Sequence, residues 1–214
     1  AGRDLTVQDM FEAVGAHAAG RIDDGELQAL ERAACPSAGA CGGQFTANTM
    51  ALVLTLLGLS PLGANDVPAT APAKAEVAHR CGALALDAIR AERTPRALVT
   101  ATALQEAANA VLAAGGSTNA VLHLLAIARE AAVEFPIERF DAAFDRASVL
   151  LDLKPSGRFT AVDFVHAGGT AAFARRLRQL DLLSDRATIT GRSLFDELER
   201  APQETPGQRV IRDA

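Results

Sequence analysis

A chain of 214 residues, 49% of them apolar, is long enough to bury a core of its own and too apolar to be disordered throughout. Its formal charge of −5, its lack of tryptophan and tyrosine, and arginines scattered among acids exclude a basic, aromatic surface for nucleic acid. Three cysteines make no disulfide framework, and the longest apolar run, residues 50–59, is too short to span a bilayer, so no membrane is expected and a reducing cytoplasm is the expected compartment.

In chain order, periodicity predicts a protein built mostly of helices. Thr6-Val-Gln-Asp9 reads as a capping box, with Asp9 in place of the usual glutamate, opening a helix whose apolar face is Val7, Met10, Phe11, Val14 and Ala18. A shorter helix is predicted over 23–33, and 46–57 is apolar nearly all round, which places that helix inside a core. Residues 58–72 are dense in turn formers and read as a loop. A long helix follows over 73–93. Thr94-Pro95 ends it, and another runs over 100–114. Gly115-Gly116 breaks that one, and Ser117 or Thr118 caps the next, over 119–133. Residues 154–158 form a turn. Thr160-Ala-Val-Asp163 is a second box of the same kind, leading into helices that continue through Leu180. The clearest strand candidate is Ala187-Thr-Ile-Thr190, and 96–100 suits strand or helix equally.

Three segments carry chemistry. In Cys35-Pro-Ser-Ala-Gly-Ala-Cys-Gly-Gly-Gln-Phe-Thr-Ala-Asn-Thr-Met50, Cys41 lies in a loop of small residues just ahead of an apolar helix. Unpaired N–H groups and the helix dipole favour a thiolate there, and the two following glycines admit a bulky group; a buried, inert thiol fits the spacing equally well. Gly115-Gly-Ser-Thr-Asn119 opens a helix with three hydrogen-bonding side chains, suited to a carboxylate or phosphate or simply to a cap. Lys154-Pro-Ser-Gly-Arg158 sets two cations about a turn, which also reads as a solvated surface feature. His123 on an apolar helix reads as a core histidine, and five residues separate Cys35 from Cys41, which is no standard zinc spacing.

The first segment resembles the signature of the dihydroxy-acid dehydratase/phosphogluconate dehydratase family. Gly115-Gly-Ser-Thr-Asn-Ala-Val-Leu-His-Leu-Leu-Ala126 resembles a second motif of that family, and Asp152-Leu-Lys-Pro-Ser-Gly-Arg158 followed by Ala167-Gly-Gly169 resembles a third, in the family's order. The resemblance implies a helix-dominated part of an α/β fold, with residues 1–214 forming the later portion of an N-terminal iron–sulfur-binding domain and containing few strands. It implies a lyase that removes water from a small 2,3-dihydroxy carboxylate to give a 2-keto acid, using an iron–sulfur cluster (2Fe–2S rather than 4Fe–4S) and Mg2+.

By the same resemblance Cys41 is a cluster ligand, Cys35 is not, and Cys81 matches nothing. Gly116, Ser117, Thr118 and Asn119 fall on the substrate side. The family's Cys-Asp-Lys motif, its acidic magnesium ligands and a serine base have no counterpart here, so no catalytic residue is assigned within the segment. The chain is therefore expected to be an internal piece of a longer, homo-oligomeric enzyme, inactive and without a stable cluster on its own. The first substrate reading is the dihydroxy acids of branched-chain amino-acid biosynthesis. The alternatives are a sugar acid such as a pentonate or phosphogluconate, or a helical module with no catalytic role.

Overall fold

The computed structural model describes residues 5–35, 38–145 and 148–213; Pro36 and Ser37 of the first motif lie outside them. Eleven helices account for the regular structure of the described residues: α1 (Val7–Ala18), α2 (Asp24–Ala33), α3 (Thr46–Leu56), α4 (Ala73–Arg90), α5 (Pro95–Leu98), α6 (Ala101–Ala113), α7 (Asn119–Glu130), α8 (Arg139–Phe144), α9 (Ala161–Ala167), α10 (Gly169–Gln179) and α11 (Leu194–Arg200). Extended pairing among these residues is confined to three isolated bridges, Leu151 with Ile211, Leu153 with Phe159, and Ala187 with Ser193. The helix-dominated reading holds.

Local chemistry sets the helix starts. Thr6 and Asp9 close the box at α1, with the Thr6 N–H donating to Asp9 Oδ2 at 2.7 Å, and Thr160 and Asp163 repeat the arrangement at α9, also at 2.7 Å. At α2 the Asp23 carboxylate accepts from Glu26 N at 2.8 Å.

The described residues form two apolar clusters, and α3 and α6 each belong to both. Leu52 and Leu56 join α9, α10, α11 and the segment Leu150, Leu151 and Leu153, with Phe173 at the centre. Val53 and Leu57 join α6 and α7 together with Phe135 and Phe140, whose rings meet edge to face at 5.8 Å. A helix buried on two sides has to be apolar nearly all round, which is the pattern of 46–57. Alanines 103, 107, 108, 110 and 113 line the buried side of α6 and let neighbouring helices approach closely.

One expectation changes and one open alternative is settled. Residues 187–190 form a turn, not a strand. Ala187 makes a single bridge, Gly191 N donates back to Thr188 O at 3.0 Å, and the Thr188 and Thr190 hydroxyls donate to Glu197 Oε1 on α11 at 2.5 and 2.7 Å. The β-branched run there serves hydroxyl contacts, because among the described residues no strand lies beside it for pairing. Residues 95–98 are helical, with Thr94 Oγ1 accepting from Ala97 N at 3.4 Å. The apolar face of α1 also points largely outward: Phe11 is 73% and Val14 55% exposed, as are Leu86 at 56% and Ile89 at 73% on α4.

Candidate functional site

The loop before α3 is held at both ends. Asn48, in the first turn of α3, donates through Nδ2 to Cys41 O at 2.6 Å and Gly43 O at 2.7 Å. On the far side Gln44 N donates to Lys154 O at 2.6 Å, and Gly42 O accepts from Ala161 N at 2.8 Å. A Cβ on Gly43 would sit 2.8 Å from both Lys154 O and the Phe45 ring, so only glycine lets the loop lie this close to the third motif. The first and third motifs, more than a hundred residues apart in sequence, form one wall.

The first motif's loop, together with the start of α9, bounds a cavity of about 680 Å³ that the third motif itself does not line. Cys41 lines it, half-buried, with Thr6, Gln44, Asn48, Asp66 and Lys74. Cys35 lies at the same cavity but is exposed, and Cys81 is on α4, away from it.

The second motif packs on a different face of α3. Ser117 N donates to Thr49 Oγ1 at 3.0 Å, the Ser117 and Thr46 hydroxyls lie 3.0 Å apart, and Asn119 Nδ2 donates to Thr46 Oγ1 at 2.8 Å. Gly116 rests against Thr49, and Thr118 and Asn119 are exposed. Ser117, not Thr118, does the capping, accepting from Asn119 N at 3.3 Å. None of Gly116, Ser117, Thr118 and Asn119 lines the cavity that holds Cys41. The cations of the third motif are engaged by carboxylates: Lys154 Nζ lies 3.9 Å from Asp9, and Arg158 Nε donates to Asp152 Oδ2 at 2.6 Å.

The residue that sequence reasoning missed is Asp66. Its carboxylate accepts from Thr170 N at 2.9 Å and Thr170 Oγ1 at 2.6 Å, at the first turn of α10. Burial pushes its pKa above the usual carboxylate range, while the Thr170 hydrogen bonds and the Lys74 ammonium pull the other way. Lys74 Nζ donates to Val67 O at 2.9 Å, so Asp66, Val67 and Lys74 form one polar edge of the cavity. His166 also lines it.

The raised pKa has a testable sign. Between the ordinary Asp pKa of about 3.9 and the higher folded value, the native state binds more protons than the unfolded one, so this group lowers stability as pH rises through that window. Its contribution is most favourable below that window and constant above it. Asp66→Asn removes this component. Urea unfolding from pH 3.5 to 7 is expected to show the variant's stability rising relative to the native protein across the window.

Among the described residues no three His, Cys, Asp or Glu side chains converge as a metal site. What is present suits a sulfur-ligated group in part. Cys41 supplies a soft donor and the cavity is roomy.

The chain matches the family described as dihydroxy-acid/6-phosphogluconate dehydratase N-terminal over residues 1–197. It is 52% identical over 209 residues to a dihydroxy-acid dehydratase of Koribacter versatilis, covering 97% of this chain and 36% of that protein. It is 49% identical over 212 residues to one of Roseiflexus sp. (99% and 38%), and 47% identical over 211 residues to one of Thermus thermophilus (98% and 38%). The chain thus spans little more than a third of the length of these curated relatives. It belongs to the dihydroxy-acid/6-phosphogluconate dehydratase family.

Proposed function

We propose that the full-length protein is a hydro-lyase that converts a 2,3-dihydroxy carboxylate into a 2-keto acid, and that residues 1–214 form part of its N-terminal, iron–sulfur-binding domain. The observation that carries this reading is the placement of Cys41, in a loop held by Asn48, on the wall of a cavity large enough for a small hydroxy acid beside a metal group. An iron–sulfur group, of the 2Fe–2S type, bound through Cys41 would supply a Lewis acid for the departing 3-hydroxyl, and Mg2+ would polarise the carboxylate end of the substrate.

The chain's own residues do the positioning. Asn48 holds the two carbonyls that flank Gly42 and so fixes the thiol-bearing loop. Lys74 spends one N–H on Val67 O and keeps two for a substrate carboxylate. Both oxygens of Asp66 are taken by Thr170, which assigns it to anchoring this edge and not to proton transfer. The remaining cluster ligands, the magnesium acids and the catalytic base then come from sequence outside these residues. A substrate-side role for Gly116, Ser117, Thr118 and Asn119 requires the completed pocket to extend around α3.

The substrate reading is a branched-chain dihydroxy acid. Lys74 is the one lysine or arginine lining the cavity among the described residues, and a phosphorylated sugar acid calls for more cations. The enzyme is read as a cytoplasmic homo-oligomer, in which Phe11, Val14, Leu86 and Ile89 are covered by the rest of the protein or by a second subunit.

The test is anaerobic reconstitution of the full-length protein and of residues 1–214 with iron, sulfide and Mg2+, followed by keto-acid detection. Turnover of the branched dihydroxy acid by the full-length protein alone is expected. Absence of any 2-keto acid product from it would sink the reading.

A further inference from the structure

Helix α9 runs along the cavity from one chemical pole to the other. At its start Ala161 N donates to Gly42 O at 2.8 Å, which seats its first turn against the loop that carries Cys41. At its end the chain turns into α10, where Thr170 N and Oγ1 donate to Asp66 at 2.9 and 2.6 Å, and Lys74 donates to Val67 O beside Asp66. A Cβ on Gly169, at this junction, would lie 2.4 Å from Asp66 Oδ2, so the polar edge is pressed directly against the end of α9. From Ala161 to Ala167 the helix rises about 9 Å, a length that suits a small hydroxy acid joined to a metal group at one end.

Between the two poles, Val162 and Val165 line the cavity, three residues apart on one side of α9. Neither belongs to an apolar cluster of the fold, and Val162 is 45% exposed. The residues between them are engaged elsewhere: Asp163 closes the cap with Thr160, and Phe164 is buried in the core. A β-branched residue in an exposed first turn is not favoured by helix propensity, and here it does not serve packing of the core either.

We propose that the substrate lies along α9 with its C3 hydroxyl toward Cys41 and its carboxylate toward Lys74, and that Val162 is a specificity-determining contact that receives the alkyl branch on C3. The inference rests on the reading of this cavity as the site of a branched 2,3-dihydroxy acid. C3 carries both the departing hydroxyl and the branch, so the end of the substrate that meets the thiol loop is also the aliphatic end. Val162 follows directly on Ala161, whose N–H is bonded to Gly42 O, and Val165 stands a turn further from that loop. A sugar acid presents a hydroxylated carbon at the same place, and a hydroxyl buried against valine without a partner is disfavoured. One side chain thus accepts the branch and rejects the polyol.

The experiment uses the full-length protein loaded anaerobically with its iron–sulfur group and Mg2+. The probes are 2,3-dihydroxy-3-methylbutanoate, its homologue 2,3-dihydroxy-3-methylpentanoate, and a linear pentonate read as substrate or competitive inhibitor. Val162→Thr keeps the volume and adds a hydroxyl; Val162→Ala opens the space. Val162→Thr is expected to lower kcat/KM for both branched acids about tenfold, with pentonate binding unchanged or tighter and iron content and Tm native. Val162→Ala is expected to shift the ratio of kcat/KM several-fold toward the larger branched acid.

Unchanged kcat/KM for the branched acids overturns the proposal. So do equal losses on all three probes with a lowered Tm, which would make Val162 a packing contact with another part of the protein. If Val162→Thr fails to fold or load, Val162→Ala decides: a shifted ratio supports the proposal and an unchanged one overturns it. Failure of the underlying reading is separable, because it shows in the native protein: turnover of the pentonate and of neither branched acid removes the substrate reading, and this proposal with it, before any variant is made.

Discussion

Cys41→Ser in the full-length protein is expected to lose the iron–sulfur absorption and to lower kcat by on the order of 10³-fold or more, since the electrostatic stabilisation of the departing hydroxide goes with it. Serine is nearly isosteric with cysteine but is a hard, weakly acidic donor, so it keeps the loop and loses the ligand. The loop's hydrogen bonds run through main-chain atoms, Cys41 O to Asn48 and Gly42 O to Ala161, and none of them needs the thiol. The fold is therefore expected to change by less than ~1 kcal/mol. Iron content, visible absorption and thermal unfolding on one preparation separate the two effects. A variant that keeps its iron, or one that unfolds, contradicts the assignment of Cys41 as a ligand placed by a self-sufficient loop.

Gly157→Ala is expected to have the largest effect on stability. A Cβ there would lie 2.3 Å from the carbonyl carbon of Asp152, 2.5 Å from Leu153 N and 2.6 Å from Asp152 O, all of them main-chain atoms that cannot rotate away. The turn around it is closely bonded: Gly157 N donates to Leu153 O at 2.7 Å, Phe159 N to Asp152 O at 3.0 Å, and Arg158 N to Asp152 Oδ1 at 3.1 Å. Arg158 holds the Asp152 carboxyl below the usual range, chiefly through its side-chain hydrogen bond and against the opposing effect of burial. Opening the turn to admit a methyl group breaks several of these contacts together. The cost is about 3 kcal/mol, read as a lowered Tm by calorimetry of the full-length protein. Because Lys154 O in the same turn receives the Gln44 N–H, iron occupancy is expected to fall as well. A variant with native Tm would show that the turn tolerates a side chain.

The helices were legible in the sequence because their signals are local. Thr6 with Asp9 and Thr160 with Asp163 lie three residues apart, and the whole of each cap is visible in a four-residue window. The two-sided burial of α3 was legible for a similar reason, since a helix with no polar face has to be enclosed. The turn at 187–190 was not: alternation of Thr and Ile reads as a strand, but a strand exists only where a partner accepts its ladder, and here Glu197 takes both hydroxyls. Asp66 was hidden because its partner, Thr170, lies 104 residues away in the chain. The meeting of the first and third motifs was equally hidden, because Gln44 and Lys154 touch only through main-chain atoms that carry no residue signature.

The double membership of α3 has a consequence for how the molecule breathes. Leu52 and Leu56 on one side and Val53 and Leu57 on the other belong to separate clusters, so neither cluster can open without stripping cover from the same helix. Amide hydrogens of α3 should then exchange with solvent only when the whole unit unfolds, while those of α1 and α2, outside both clusters, exchange through local fraying. The thiol loop is thus spliced to a helix expected to be among the slowest to exchange, and its main chain is anchored to the part of the fold that opens last.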